Sequence, residues 1–285
     1  MGGIYWLASY PKSGNTWFRA FLTNLRVDGE QPAPIDELSG AGMIGARGWL
    51  DERLGFDTAD LSPAEAERLR PAVYRWVGRE DATIGYHKIH DAYTLTVDGE
   101  PLVSREATLG ALYILRNPLD VACSFASFFS CSIDAAIDRL ADPALALHHR
   151  RSAGGAHVRQ RLLSWSAHVR SWVDAPGLNL ALIRYEDMLA DPLSTFTRAA
   201  RFLHLPHDQV RVQKAIDFSR FGELSRQEAA RGFRERPHFA PRFFRQGRSG
   251  GWRAQLRAAQ VLRIIADHGA LMRRFGYLDA AGEPL

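Results

Sequence analysis

Apolar positions along the chain alternate between a strand rhythm and a helix rhythm. Ile4 to Ala8 is an unbroken run of strand length. After a Pro/Ser/Gly turn, Trp17, Phe18, Phe21, Leu22 and Leu25 recur at helical spacing. Thr83 to Lys88, Gly110 to Leu115 and Asn179 to Ile183 predict further strands, the second nearly continuous in apolar residues, as a strand buried on both faces should be. Between them the spacing predicts helices from the capping box Ser62-Pro63-Ala64-Glu65 to about Val77, over Leu119 to Phe129, and over His157 to Val173. In the last of these, Leu162, Trp165, Val169 and Trp172 read as core. Asp191-Pro192 starts another helix ending near His204, Asp208 to Asp217 is helical, and a helix from about Ala254 to Arg274 closes at Gly276. Glu30 to Asp60, rich in Pro, Gly and Asp, predicts irregular structure with short helices, and Asp98-Gly99 a turn. Strands alternating with helices predict an α/β fold, with its chemistry at the C-terminal ends of the strands.

Composition narrows the picture. The chain has 285 residues, 46% of them hydrophobic, enough for one large α/β domain with helical insertions. No apolar run approaches the ~20 residues of a membrane span, and the start lacks a signal sequence, so the expectation is a soluble cytoplasmic protein. Cys123 and Cys131, eight apart in an apolar segment, read as buried free thiols rather than zinc ligands or a disulfide. His148, His149, Arg150 and Arg151 form a basic cluster before Gly154-Gly155, read as a solvated face without metal. Among 36 basic residues only Lys12, Lys88 and Lys214 are lysines. One lies in the loop after the first strand and another, Lys88, at the end of the second, a compositional hint that these two ammonium groups have particular work.

The turn after the first strand has the parts of a phosphate loop. With Gly14 on the second glycine of a Walker A pattern, Ser9 takes the first, Thr16 the hydroxyl position and Asn15 the lysine position, while Lys12 sits inside the loop. A strand handing over to a helix N-terminus directs backbone N–H groups at one spot. No strand plainly ends in the acids that would hold Mg²⁺ in a kinase. At the second strand end, Lys88 and His90 share a face; a lone histidine there is most often bound to backbone, but the neighbouring lysine favours function. At the third, Arg116 and Ser124 suit a phosphate monoester, and equally an arginine paired with a carboxylate beside a solvent-facing serine. Between Arg226 and Arg257, nine arginines and two acids alternate with Phe233, Phe239, Phe243, Phe244 and Trp252, the footprint of a basic nucleic-acid-binding module.

YPKSGNTW resembles the 5′-phosphosulfate loop of the sulfotransferases that use 3′-phosphoadenosine-5′-phosphosulfate, and YILRNPLDVACSFASFF resembles their 3′-phosphate motif. Lys88-Ile89-His90 is similar to the Lys-Thr-His of the cytosolic members, with Ile89 in place of threonine. Arg245 to Arg253 resembles the Arg-Lys-Gly-x-x-Gly-Asp-Trp-Lys segment, departing at Gln246 and Gly251. The resemblance spans the chain and implies one sulfotransferase domain over 1–285, three-layered about a central, mainly parallel sheet of P-loop-NTPase type. Acceptor-site insertions are expected near 30–80 and 130–160, and a mobile cofactor-covering loop at about 226–253.

It implies transfer of a sulfuryl group to a hydroxyl, less often an amine, of a small-molecule acceptor, leaving adenosine 3′,5′-bisphosphate, with no metal and no nucleic-acid partner. His90 would be the base, Lys12 would meet the leaving phosphate, Lys88 the sulfuryl oxygens, and Ser124 would restrain Lys12. Ser13, Gly14, Asn15 and Thr16 would cradle the 5′-phosphate, Arg116 and Ser124 the 3′-phosphate. Trp17, Tyr185, Ser219 and Phe221 would serve the adenine side, and Arg245, Gln246 and Gly247 the covering loop. Trp49, Phe128 and Phe129 hint at an apolar or aromatic acceptor. A kinase-like phosphotransferase is the second reading and a nucleic-acid-binding module the third.

Overall fold

The first apolar run folds as strand β1 (Gly3–Ser9), buried along its whole length. In the computed structural model, which describes residues 2–38, 45–148, 157–237 and 240–285, β1 turns at Pro11 into helix α1 (Asn15–Val27). Then follow α2 (Arg47–Leu54), α3 (Pro63–Glu80), β2 (Ile84–Ile89), β3 (Thr108–Leu115), α4 (Pro118–Phe128) and α5 (Ile133–Ala141). The remaining elements are β4 (Ala146–Leu147), β5 (Gln160–Arg161), α6 (Trp165–Val173), β6 (Leu180–Arg184), α7 (Tyr185–Ala190), α8 (Pro192–Phe202), α9 (Gln209–Phe218), α10 (Phe221–Arg231) and α11 (Ala258–Arg274).

The central parallel sheet has the order β2-β1-β3-β6, a P-loop-like α/β arrangement. β1 and β2 pair in parallel with Leu7 opposite Lys88 and Ala8 opposite Ile89. The unbroken apolar run thus takes an inner place, and the half-exposed β2 the edge.

The chain divides into two compact units. The first comprises Met1–Tyr10, Gly40–Tyr113 and Pro143–Leu182; the second comprises Pro11–Ser39, Ile114–Asp142 and Ile183–Leu285. The chain passes from the first to the second just after β1, within β3 and within β6. In the first unit Trp6 packs edge-on against Tyr74, with ring centroids 5.2 Å apart, and donates its indole N–H to Thr108 Oγ1 at 2.8 Å. In the second, Phe21 and Phe196 meet at 4.3 Å, and Ala20, Ile35, Leu38, Leu224, Phe233 and Phe244 form a further apolar cluster.

The predicted helix 157–173 begins only at Trp165. The Ser164 side chain caps it by accepting from Ala167 N, and Leu163 before it has φ 60°, so the chain cannot continue the helix backwards. Leu162 is still buried, but from irregular chain after β5. The last helix likewise starts later, at Ala258, because Gly251–Ala254 forms a separate 3₁₀ turn. The expected covering loop is shorter than 226–253, since Arg226 to Arg231 completes α10. Cys123 is a buried free thiol as expected; Cys131 is half-buried, because it lies in the exposed turn between α4 and α5. His149, Arg150, Arg151, Gly154, Gly155 and Phe239 lie outside the described residues. Among the described residues no single helix is long and apolar enough to cross a membrane.

Candidate functional site

In the second unit, the turn ahead of α1 bends sharply enough to place Lys12 at φ 72° and Gly14 at φ 104°. Gly14 is required twice over: its φ is left-handed, and a β-carbon there would sit 2.6 Å from Tyr185 Cδ2. No side chain caps α1 and no acid lies in its first turn. Its first N–H groups and the positive end of its dipole therefore suit an anion. Ser13 Oγ beside them is buried without a hydrogen-bond partner. An orphaned buried hydroxyl at an uncapped helix start is a fit for phosphate oxygens. Asn15 and Thr16 are buried, and Trp17 packs edge-on against Tyr185 at 5.6 Å, its indole N–H buried and without a partner.

The Lys12 ammonium lies over two aromatic faces, 4.0 Å from the Phe128 centroid and 4.3 Å from that of Phe243. Phe128 and Phe243 themselves meet edge to face at 5.9 Å. Cation–π attraction thus holds the charge against apolar rings.

Arg116 stands at the end of β3, where Asn117 caps α4 and Pro118 opens it. Its Nη1 donates to Lys12 O at 3.0 Å, its Nη2 to Arg248 O at 3.1 Å, and its guanidinium covers the Tyr185 ring at 4.1 Å. Its Nε is buried without a partner. Its hydrogen-bond partners among the described residues are carbonyls, not a carboxylate, although the Glu186 carboxyl lies close enough to feel its charge. Ser124 is half-buried on α4.

Asp120, which the sequence did not single out, organises the segment that follows Arg248. Its carboxylate accepts from Gly250 N at 2.7 Å, Trp252 N at 3.0 Å and Ser249 Oγ at 3.3 Å. Its partners are some 130 residues away, so no local pattern announces it. Gly247, at φ 61°, lies so close over Phe221 that a β-carbon would come within 2.2 Å of Cδ2. Gln246 and Gly251, the two departures from the family segment, meet each other: a β-carbon on Gly251 would be 2.9 Å from Gln246 Oε1. Arg245 is exposed and reaches Gln255 Oε1 at 3.3 Å. Ser219 is fully buried and donates its hydroxyl to Ile216 O at 3.1 Å, which occupies it in finishing α9.

In the first unit, strand alternation puts Lys88 and His90 on one side and His87 and Ile89 on the other. Lys88 is buried. His90 Nδ1 is 2.8 Å from Ser9 O and 3.3 Å from Ser9 Oγ. A carbonyl only accepts, so this contact assigns the proton to Nδ1 and leaves the lone pair on Nε2. The next residue, Asp91, is pinned in turn. Its carboxylate receives Arg70 Nη2 at 2.6 Å and Nη1 at 3.1 Å in a fully buried fork, and Arg161 N at 2.9 Å. His87 has both ring nitrogens buried without partners; burial drives its pKa down to about 4. Trp49 lies beside it at 5.8 Å. Among the described residues no group of three or more His, Cys, Asp or Glu could hold a metal ion.

A family model described as a sulfotransferase domain matches residues 103–276. That match begins after β2, so it includes Arg116, Tyr185 and the 245–252 segment but not the Lys12 loop or His90. Sulfotransferase 1A1 of the dog is 23% identical over 275 residues, covering 95% of this chain and 83% of that protein. Mouse sulfotransferase SULT7A1, solved in complex with PAP, has a TM-score of 0.60 at 18% identity over 96% of this chain and 88% of its own. Retinol dehydratase, solved with androsterone and the inactive cofactor PAP, has a TM-score of 0.59 at 16% identity over 95% of this chain and 80% of its own. At those identities the two structures show a shared fold.

Proposed function

Because the chain belongs to the sulfotransferase domain family, we propose that it transfers the sulfuryl group of 3′-phosphoadenosine-5′-phosphosulfate to a hydroxyl of a small apolar or aromatic molecule, with His90 as the base. The observation that carries the donor side is the set of groups at the uncapped start of α1: the orphaned Ser13 hydroxyl, Lys12, and an Arg116 whose hydrogen bonds go to carbonyls. The donor, when bound, supplies an activated sulfuryl group whose leaving group is a phosphate.

The α1 N–H groups with Ser13, Asn15 and Thr16 bind that phosphate, and Lys12 meets its growing negative charge. Arg116 and Ser124 bind the 3′-phosphate by charge-assisted hydrogen bonds. Trp17, Tyr185 and Phe221 supply aromatic surface to the adenine, and Arg245, Gln246 and the Gly247 backbone complete the cover. Ser219 has no place in this scheme, since its hydroxyl serves the end of α9. In the first unit, His90 Nε2 takes the acceptor's proton as the new S–O bond forms and the bond to the phosphate breaks, while Lys88 stabilises the sulfuryl oxygens. Charge stabilisation from these side chains makes a metal unnecessary, and residues 1–285 serve as one sulfotransferase domain.

The half-buried rings of Trp49, Phe128 and Phe129 support an apolar acceptor, as does the androsterone held by the structurally similar retinol dehydratase.

His90→Asn tests the assignment. Turnover should fall by roughly 10²–10⁴-fold, the usual weight of a general base, with adenosine 3′,5′-bisphosphate binding retained. Turnover at the parent rate would remove His90 from the role.

A further inference from the structure

We propose that His168 of α6 is a positioning residue for His90, holding the main chain from which that side chain projects. The proposal rests on the reading of His90 as the base. His168 is completely buried, with Nε2 3.0 Å from His90 O and Nδ1 2.8 Å from the Tyr113 hydroxyl. The carbonyl can only accept, so Nε2 carries the proton; Nδ1 then accepts from the Tyr113 O–H. One neutral tautomer satisfies both contacts. Tyr10 packs edge-on against the same ring at 5.3 Å, which leaves the imidazole little freedom.

The contact is one of a set. One helical turn later on the same face of α6, Trp172 Nε1 donates to the next carbonyl, Asp91 O, at 3.0 Å. Between them Ser171 Oγ accepts from Tyr93 N at 3.0 Å. Helix α6 therefore grips residues 90, 91 and 93 through three hydrogen bonds, while Ser9 takes the His90 ring and Arg70 takes the Asp91 carboxylate. Beyond the end of β2, Ala92 N donates to Arg161 O of β5 at 2.7 Å, and α6 supplies the contacts to residues 90, 91 and 93 on either side of it. A leucine would fill the position of His168 but remove its donor to the His90 carbonyl, and the strand end would shift in response. A general base displaced by about 1 Å loses up to about 100-fold in rate.

The test compares His168→Leu and His168→Gln with the parent and with His90→Asn, measuring kcat, bisphosphate affinity and thermal unfolding on the same samples. The Leu variant should lose about 10- to 100-fold in kcat with bisphosphate affinity unchanged. The Gln variant, whose amide N–H can reach the same carbonyl, should recover most of that rate. In the His90→Asn background, adding His168→Leu should reduce the residual turnover no further, because a residue acting through His90 has nothing left to act on. Parent-like kcat in His168→Leu, or an equal further loss in the double variant, would overturn the positioning role. Parent-like turnover in His90→Asn itself would overturn the base reading and this proposal with it, an outcome distinguishable from the first two.

Discussion

His87 and His168 are buried neutral, and burial pushes the pKa of each to about 4. In the unfolded chain both return to about 6.5, so the unfolded state binds more protons between those values. The stabilisation they lend is complete above about pH 6.5 and drains away as pH falls towards 4, on the order of 3 kcal/mol for each histidine. Urea unfolding at pH 7, 5.5 and 4.5 should show this acid loss, and His87→Phe, which removes one titrating group, should flatten it. An identical pH slope in that variant would contradict the account. Lys12, Lys88, His90 and Arg116 were legible as candidates because each stands at a strand end or turn recognisable from local pattern. The roles of Asp120 and His168 were not, because their partners lie far along the chain. For Arg116 the residues allowed a carboxylate partner; the structure supplies carbonyls instead.

At the level of elements, α4 joins two tasks: Arg116 stands just before it, and Asp120 on its first turn fixes 249–252. Replacing Asp120 by Ala leaves the Gly250 and Trp252 N–H groups without their acceptor, at about 1–3 kcal/mol. If that segment covers bound nucleotide, the bisphosphate should bind roughly tenfold or more weakly, and protease should cut between 245 and 252 more readily. Parent-like affinity and proteolysis would show the segment to be held by other contacts. The four strands of the central sheet were predicted to within two residues at either end, since buried parallel strands carry apolar runs; the two-residue strands β4 and β5 were not, and β5 lies where a helix was expected. Helix starts were harder. Apolar spacing ran on through Leu162 into α6, although the Ser164 cap begins the helix after it.

The whole molecule combines a family match confined to 103–276 with a fold likeness that extends over nearly the entire chain. The Lys12 loop lies outside the family match and rests on its own geometry, which makes donor binding the central claim. Calorimetric titration of adenosine 3′,5′-bisphosphate into the intact protein, with and without Mg²⁺, tests it most directly, with Arg116→Ala and Mg²⁺-ATP as comparisons. The account predicts saturable binding at one site, indifferent to Mg²⁺, weakened in Arg116→Ala by about 1.5–3 kcal/mol for the lost charged hydrogen bonds, and much tighter than that of Mg²⁺-ATP. Binding that requires Mg²⁺, prefers ATP, or is unchanged in Arg116→Ala would contradict it.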